Sequence, residues 1–343
     1  MRDVAAVAGV SVSTVSRVMR NDVRITEEVK ARVRASAQKL GYTPDPMLRA
    51  LADYRAINRR REFHGLLAWL TNFPTREGWR KHEKIGYLAG ATQRALEFGY
   101  KLEIFWAREP EVTPARLRQI LLARGILGVL LPPQPAEKTR MDLRLDGLAA
   151  ISFGRSLCHP VLHVVHHHHY RSMRRLLTEL ANLGYRRPGL AMADWVHRNV
   201  EEAWAAAWMI HGAEHGLELP PMHVAETLTP TGILRWYRDH KPDVVISHEG
   251  DVLSWLRAAG VRVPKDCGFA LPAKHAGAPE CAGIDENNEM TGAIAVESLV
   301  NAIQHGETGV PKHTRSILIE GTWFAGSTVR RLSRAGQVEG TFG

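Results

Sequence analysis

Between Val12 and Arg20 short hydroxyls sit beside long bases: Ser13, Thr14, Ser16, Arg17 and Arg20. Hydroxyls bond phosphate oxygens at short range, whereas a guanidinium reaches base edges and bonds guanine in a bidentate fashion, worth about 1–3 kcal/mol of discrimination. Arg17 is therefore the expected direct-readout residue; Val12 can meet a thymine methyl, and Ser13 has little reach. A second chemical group is the run His166-His167-His168-His169. Imidazole is a common transition-metal ligand, yet four neighbouring residues cannot all face one ion, and no cysteine or helical His-x-x-x-His accompanies the run. No metal and no cofactor are expected; the histidines read as lining of a ligand cleft or as crossover packing. The chain shows no Gly-rich phosphate loop and no Gly-x-Ser-x-Gly elbow, so an enzyme is not expected.

The elements that must position the first group are short helices. Asp3 to Ala8 reads as a helix with Val4, Ala5 and Ala8 inward, Gly9 breaks it, and Ser11 can cap a second helix from Val12 to about Met19. Thr26, followed by Glu27 and Glu28, starts a third, with Val29, Val33, Ala37 and Leu40 at helical spacing and Gly41 at its end. Two helices crossing closely over alanine and valine make either a helix-turn-helix or an ordinary helical hairpin. Asp45 and Pro46 then open a further helical segment containing Leu48 and Leu51.

Charge favours the helix-turn-helix. The chain of 343 residues carries a net charge of +9 and a pI near 9.7. Residues 1–62 alone hold 13 Lys and Arg against 7 Asp and Glu, so the excess concentrates where a polyanion would bind. The three cysteines, Cys158, Cys267 and Cys281, are widely spaced and odd in number, which suits a reducing compartment. With no apolar signal-like segment and no long apolar run, a cytoplasmic location without membrane contact is expected.

Asp3-Val4-Ala5, Ala8-Gly9-Val10-Ser11, Thr14-Val15-Ser16-Arg17-Val18 and Leu40-Gly41-Tyr42 followed by Pro44 together resemble the LacI/GalR family of bacterial transcriptional regulators. The resemblance places Val12, Ser13 and Arg17 at base-reading positions and Ser11, Thr14, Ser16, Arg24 and Thr26 at phosphate contacts. It places Leu51 on the hinge-helix leucine that wedges into a minor-groove step; the other reading of Leu48 and Leu51 is a pair of core-facing leucines. Asp45 stands where the family has asparagine, keeping the capping function but adding negative charge near phosphate.

Beyond residue 62 apolar strand-like runs alternate with helical patterns: Leu66 to Leu70, Ile85 to Phe98, Tyr100 to Trp106, Pro114 to Ala123, Ile126 to Leu131 and Ala149 to Phe153. A second set follows at Gly189 to Ala193, Glu201 to His211, Val244 to Ser247, Leu253 to Ala259 and Gly268 to Leu271. This is α/β order with parallel sheets. Leu183 to Arg187 and Ala259 to Pro264 resemble the sensing core of the same family, which is related to periplasmic binding proteins (type I). The implied plan is a helix-turn-helix domain over 1–45, a hinge helix and linker over 46–62, a two-lobed effector and dimerisation domain over 63–330, and a tail over 331–343. The N-lobe takes about 63–165 and 285–316, the C-lobe about 170–281 and 318–330, with crossovers near 165–170, 282–286 and 316–320.

Strand ends and the resemblance nominate Thr71, Asn72, His168, His169, Arg198, Glu249 and Asp285 as effector-binding, each with a solvated ion-pair role as the other reading. Trp69, Trp106, Trp195 and Trp204 could offer stacking faces, although core packing is the simpler use of most tryptophans. The resemblance implies a pseudo-palindromic double-stranded DNA operator, a homodimer, and a small carbohydrate-like effector whose binding couples lobe closure to hinge folding. It implies no further tetramer-forming helix, since no heptads follow Arg330. The alternatives are a cytoplasmic solute-binding protein or a sugar-acting enzyme built on the two-lobed body alone.

Overall fold

The computed structural model describes residues 1–19, 24–42, 65–80, 86–274 and 277–332. The expected hinge helix with Leu48 and Leu51, the basic run Arg59-Arg60-Arg61 and the tail from residue 333 lie outside the described residues.

In the head, α1 (Arg2–Ala8) stops at Gly9, whose φ of 63° is a left-handed conformation that glycine adopts without a Cβ penalty. Helix α2 (Val12–Met19) starts where Ser11 Oγ accepts the Thr14 N–H at 3.1 Å, a cap worth about 1 kcal/mol. Helix α3 (Glu27–Lys39) begins after Thr26, which holds the extended capping conformation without a side-chain cap bond. Glu27 and Glu28 instead complement the helix dipole. The three helices close over Val4, Ala5, Ala8, Val15, Val18, Val33 and Ala37. Leu40 departs from its expected inward position: α3 ends at Lys39, the chain reverses at Gly41 with φ 59°, and Tyr42 packs on the core while Leu40 is exposed.

The body holds two six-stranded sheets. The first is wholly parallel: β1 (Gly65–Thr71), β2 (Tyr100–Trp106), β3 (Ile126–Leu131), β5 (Ala149–Phe153), β7 (His163–His167) and β13 (Ser316–Ile319), ordered β13-β7-β5-β3-β1-β2. A two-stranded ribbon of β4 (Thr139–Arg140) and β6 (Leu157–His159) flanks it. The second sheet takes β8 (Pro188–Ala193), β9 (His223–Ala225), β10 (Val244–Ser247), β11 (Gly268–Leu271), β12 (Ala282–Asp285) and β14 (Thr322–Phe324), ordered β14-β12-β11-β10-β8-β9, with only β12 and β14 antiparallel. Central strands such as β5 and β8 are buried along their whole length, which is why their sequences are continuous apolar runs rather than alternations.

Helices cover both faces. In the first lobe α4 (Tyr87–Glu97), α5 (Pro114–Ala123) and α11 (Asn288–His305) bury Ala91, Leu117 and Leu299 among others. In the second, α6 (His169–Asn182), α7 (Asp194–Asn199), α8 (Ala203–Glu214), α9 (Pro230–His240) and α10 (Asp251–Ala258) do the same around Met173, Trp204, Trp236 and Leu253. The chain passes between sheets three times: after β7 at His168, after β12 at Glu286 and Asn287, and between β13 and β14 at Glu320 and Gly321. Sheet pairing runs to Ile319 opposite His167, which carries the third passage past residue 318.

Helices α4 and α11 approach so closely that a Cβ on Gly90 would fall 1.9 Å from Glu289 O, and one on Gly292 would fall 2.0 Å from Tyr87 O. Two glycines thus let the N-terminus of α4, and with it Tyr87, lie directly against the second crossing. Open parallel sheets bind ligands beyond the carboxyl ends of their strands, and that is where these crossings converge.

Candidate functional site

The exposed side of the head carries Ser11, Val12, Ser13 and Arg17, with Arg24 and Thr26 exposed on the approach to α3. Thr14 and Ser16 are half-buried. Ser11 Oγ lies 2.7 Å from Ser13 Oγ and 2.8 Å from Thr14 Oγ1, so the hydroxyls at the helix start form one linked donor-acceptor patch around the cap. Val15 and Val18 point the other way into the core, and the helical period therefore fixes which residues of α2 face outward. A helix N-terminus with free-facing N–H groups, hydroxyls and an exposed guanidinium suits phosphate and base edges.

The second site lies at the crossings. His167 Nε2 is 2.6 Å from Tyr87 Oη and 3.7 Å from Glu286 Oε2, and His169 Nδ1 is 3.5 Å from Glu286 Oε1. Aromatic rings continue this group into both lobes. Tyr87 stacks on His167 at 5.7 Å and meets Phe153 at 5.5 Å; His169 meets Trp204 edge-on at 5.8 Å, and Trp204 lies 5.7 Å from His248. His166 is 8% exposed, and neither of its ring nitrogens has a hydrogen-bond partner; Ser172 Oγ and Trp204 Nε1 are likewise buried and unbonded. Native proteins bond most such groups, so their concentration at a strand-end crossing makes this the candidate ligand site.

Burial dominates the electrostatics. It pushes the His166 pKa down to about 3, helped by the nearby Arg155 charge, and it lowers His167 as well against the attraction of Glu286. Burial alone would raise Glu286, but His167 and His169 outweigh it and hold the carboxyl below its usual range. Burial also raises Tyr87 well above the ordinary phenol value, with Glu286 adding to the effect, so the hydroxyl keeps its proton. Among the described residues, no group of three His, Cys, Asp or Glu is arranged to hold a metal ion.

The residues nominated from sequence fall in several places. His169 belongs to the cluster, whereas His168 is half-buried and its N–H donates to Ile319 O at 2.9 Å, pinning the first crossing. Thr71 is fully buried and donates to Phe105 O at 3.1 Å; Asn72 Oδ1 accepts from Arg108 Nε at 2.9 Å. Both tie the ends of β1 and β2 together. Burial raises the Glu249 carboxyl, offset in part by the Ala193 N–H, which sets it between the ends of β8 and β10. Asp285 is exposed, with Oδ1 accepting the Asn287 N–H at 2.9 Å. Arg198 grips Glu137 from across the lobes, at 2.7 Å and 3.1 Å, and also pairs with Asp194. Arg155 and Glu201, 3.6 Å apart, form a second cross-lobe pair.

Sequence reasoning nominated neither Tyr87 nor Glu286, and from the histidine run, read as cleft lining or crossover packing, it singled out His168 and His169 rather than His166 and His167. The histidine run was visible, but only the end of β7 at His167 and the start of α6 at His169 show which imidazoles turn inward. Glu286 is one residue beyond β12 and its neighbour Asp285 was the nominated acid; a one-residue difference at a strand end reverses the face.

These features define a class: a three-helix head on a two-lobed α/β body whose parallel sheets are joined by three chain crossings. Comparison with known proteins narrows it. Residues 1–45 match the family model for bacterial regulatory proteins of the lacI family. The chain is 30% identical over 131 residues to the ribose operon repressors of Escherichia coli (strain K12) and Shigella flexneri; the match covers 38% of this chain and 36% of the relative. The fold extends the likeness through both lobes. A solved complex of the transcriptional regulator CelR with cellobiose superposes with a TM-score of 0.54 at 21% identity, over 95% of this chain and 98% of that one. The lac repressor dimer bound to operator and the anti-inducer ONPF gives 0.55 at 16% identity, over 96% and 98%.

Proposed function

We propose that the protein is a transcriptional regulator of repressor type, reading a pseudo-palindromic DNA operator as a homodimer and controlled by a small hydroxylated effector held between its lobes. The observation that carries the reading is the exposed α2 face, with Val12, Ser13 and Arg17 outward beside the Ser11-Thr14 cap, on a module matching the lacI family. The relatives support the remainder: repressors of a sugar operon, a regulator crystallised with cellobiose and a repressor dimer on its operator. Among the described residues no helix is long and apolar enough to cross a membrane, which agrees with a cytoplasmic regulator.

Thr71, Asn72, His168, His169, Arg198, Glu249 and Asp285 then act at or around the cleft. Arg198 works as a latch on Glu137 that effector binding engages or releases, and the lobe movement reaches the DNA through the hinge segment carrying Leu51. The device requires two conformations of different DNA affinity and no catalytic step. Selecting duplexes from a random pool with the full-length chain tests the reading. A pseudo-palindrome should emerge, and its affinity should fall steeply with salt because phosphate contacts release counterions. Recovery of no preferred duplex would refute it.

A further inference from the structure

The chemistry of the crossing cluster specifies more than a sugar. Glu286 is 9% exposed and is the acid of the cluster, its carboxylate faced by His167 at 3.7 Å and His169 at 3.5 Å rather than by a guanidinium. Among the described residues, the guanidiniums that span the lobes are engaged elsewhere, Arg198 by Glu137 and Arg155 by Glu201. Beside these imidazoles, Tyr87 stacks on His167, Trp204 meets His169 edge-on, and the ring nitrogens of His166 and Trp204 are buried and unbonded.

We propose that the cleft binds a small polyhydroxylated amine of the amino-sugar class, its ammonium seated on Glu286 and its hydroxyls bonded to the surrounding histidines and Trp204. The inference rests on the regulator reading and deepens it by naming the effector class. An imidazole that burial keeps neutral, as at His166, offers one donor and one acceptor, the complement of a hydroxyl, which is also both. A carboxylate only accepts, and in a buried, weakly polar site its charge draws a cation and repels an acid or phosphate. Two ion pairs, Arg198 with Glu137 and Arg155 with Glu201, bridge the lobes, and on this proposal the ligand enters when the lobes part.

The test uses the full-length chain at pH 7 in thermal-shift and calorimetric titrations with three matched sets of hexoses. The amines are glucosamine, galactosamine and mannosamine; the others are their neutral parents and the corresponding uronic acids. At least one amine should bind about tenfold more tightly than its parent and its acid. Its N-acetyl counterpart, which keeps the hydroxyls and loses the charge, should give no comparable shift. Glu286→Gln, verified as folded by its own melting curve, should bring the ratio of amine to parent-sugar affinity down to about one. Tighter binding of a neutral sugar or an acid, or an amine advantage that survives Glu286→Gln, overturns the amine assignment and leaves the regulator reading intact. No shift from any of the sugars overturns it as well. Operator selection by the same chain, scored independently, decides whether the regulator reading falls with it.

Discussion

Acid should weaken this protein through His166. The imidazole is 8% exposed with both nitrogens unbonded, and burial, then the Arg155 charge, takes its pKa from 6.5 to about 3. The native state therefore holds the ring neutral while the unfolded chain takes up a proton below 6.5. The associated stability is fully present above that pH and is lost as pH falls from 6.5 toward 3. Each unit of difference is worth about 1.4 kcal/mol, so at pH 5 the loss attributable to His166 is about 2 kcal/mol, roughly thirtyfold in the folding equilibrium. Urea unfolding of the parent and of His166→Gln at pH 7.5 and pH 5.0 isolates the term. His211, which burial lowers to about 4, acts in the same direction but is common to both proteins and cancels. Glu286, whose carboxyl His167 and His169 hold below its usual range, is likewise common to both proteins. The parent should lose about 2 kcal/mol more than the variant between the two pH values; equal losses would show that His166 is not held neutral by burial.

Three further expectations follow from particular contacts. Gly90→Ala places a methyl 1.9 Å from Glu289 O, forcing α4 and α11 apart at a cost of about 1–3 kcal/mol; an unchanged melting temperature would contradict the close packing. Glu137→Gln removes the charge that Arg198 holds across the lobes, so amide exchange around residues 135–140 and 194–200 should quicken while the central strands keep their protection, and identical exchange would remove the latch. Arg17→Ala should relax operator discrimination by about 1–3 kcal/mol at the base pair it reads, measured as the ratio of dissociation constants for the operator and its single-base variants; an unchanged ratio at every position would exclude Arg17 from direct readout.

Much of this molecule was legible in its residues. The alanine and valine positions of the head, Gly9 as a break and Ser11 as a cap follow from local rules, because helix period, capping and left-handed glycine are decided within a few residues. Strands β1, β2, β3, β5, β8, β10 and β11 likewise announce themselves as largely apolar runs of strand length, whereas the short β4 and β9 do not, and the match of the head to the lacI family rests on the same short-range text. Leu40 shows the limit of periodicity, since the spacing placed it inside and the turn at Gly41 took it out.

What the sequence could not determine is the membership of the cleft. Tyr87, His167 and Glu286 are separated by 80 residues and more along the chain, and they meet because Gly90 and Gly292 let two helices touch while the chain crossings after β7 and β12, strands of different sheets, come together. Arg198 likewise carries the same guanidinium whether it meets a ligand or Glu137, and the choice is made by a residue of the opposite lobe. Local chemistry selects helices and strands over distances of a few residues; the pKa of a buried imidazole, or the partner of a cross-lobe arginine, depends on desolvation and approach between distant segments, which exist only once the chain has folded.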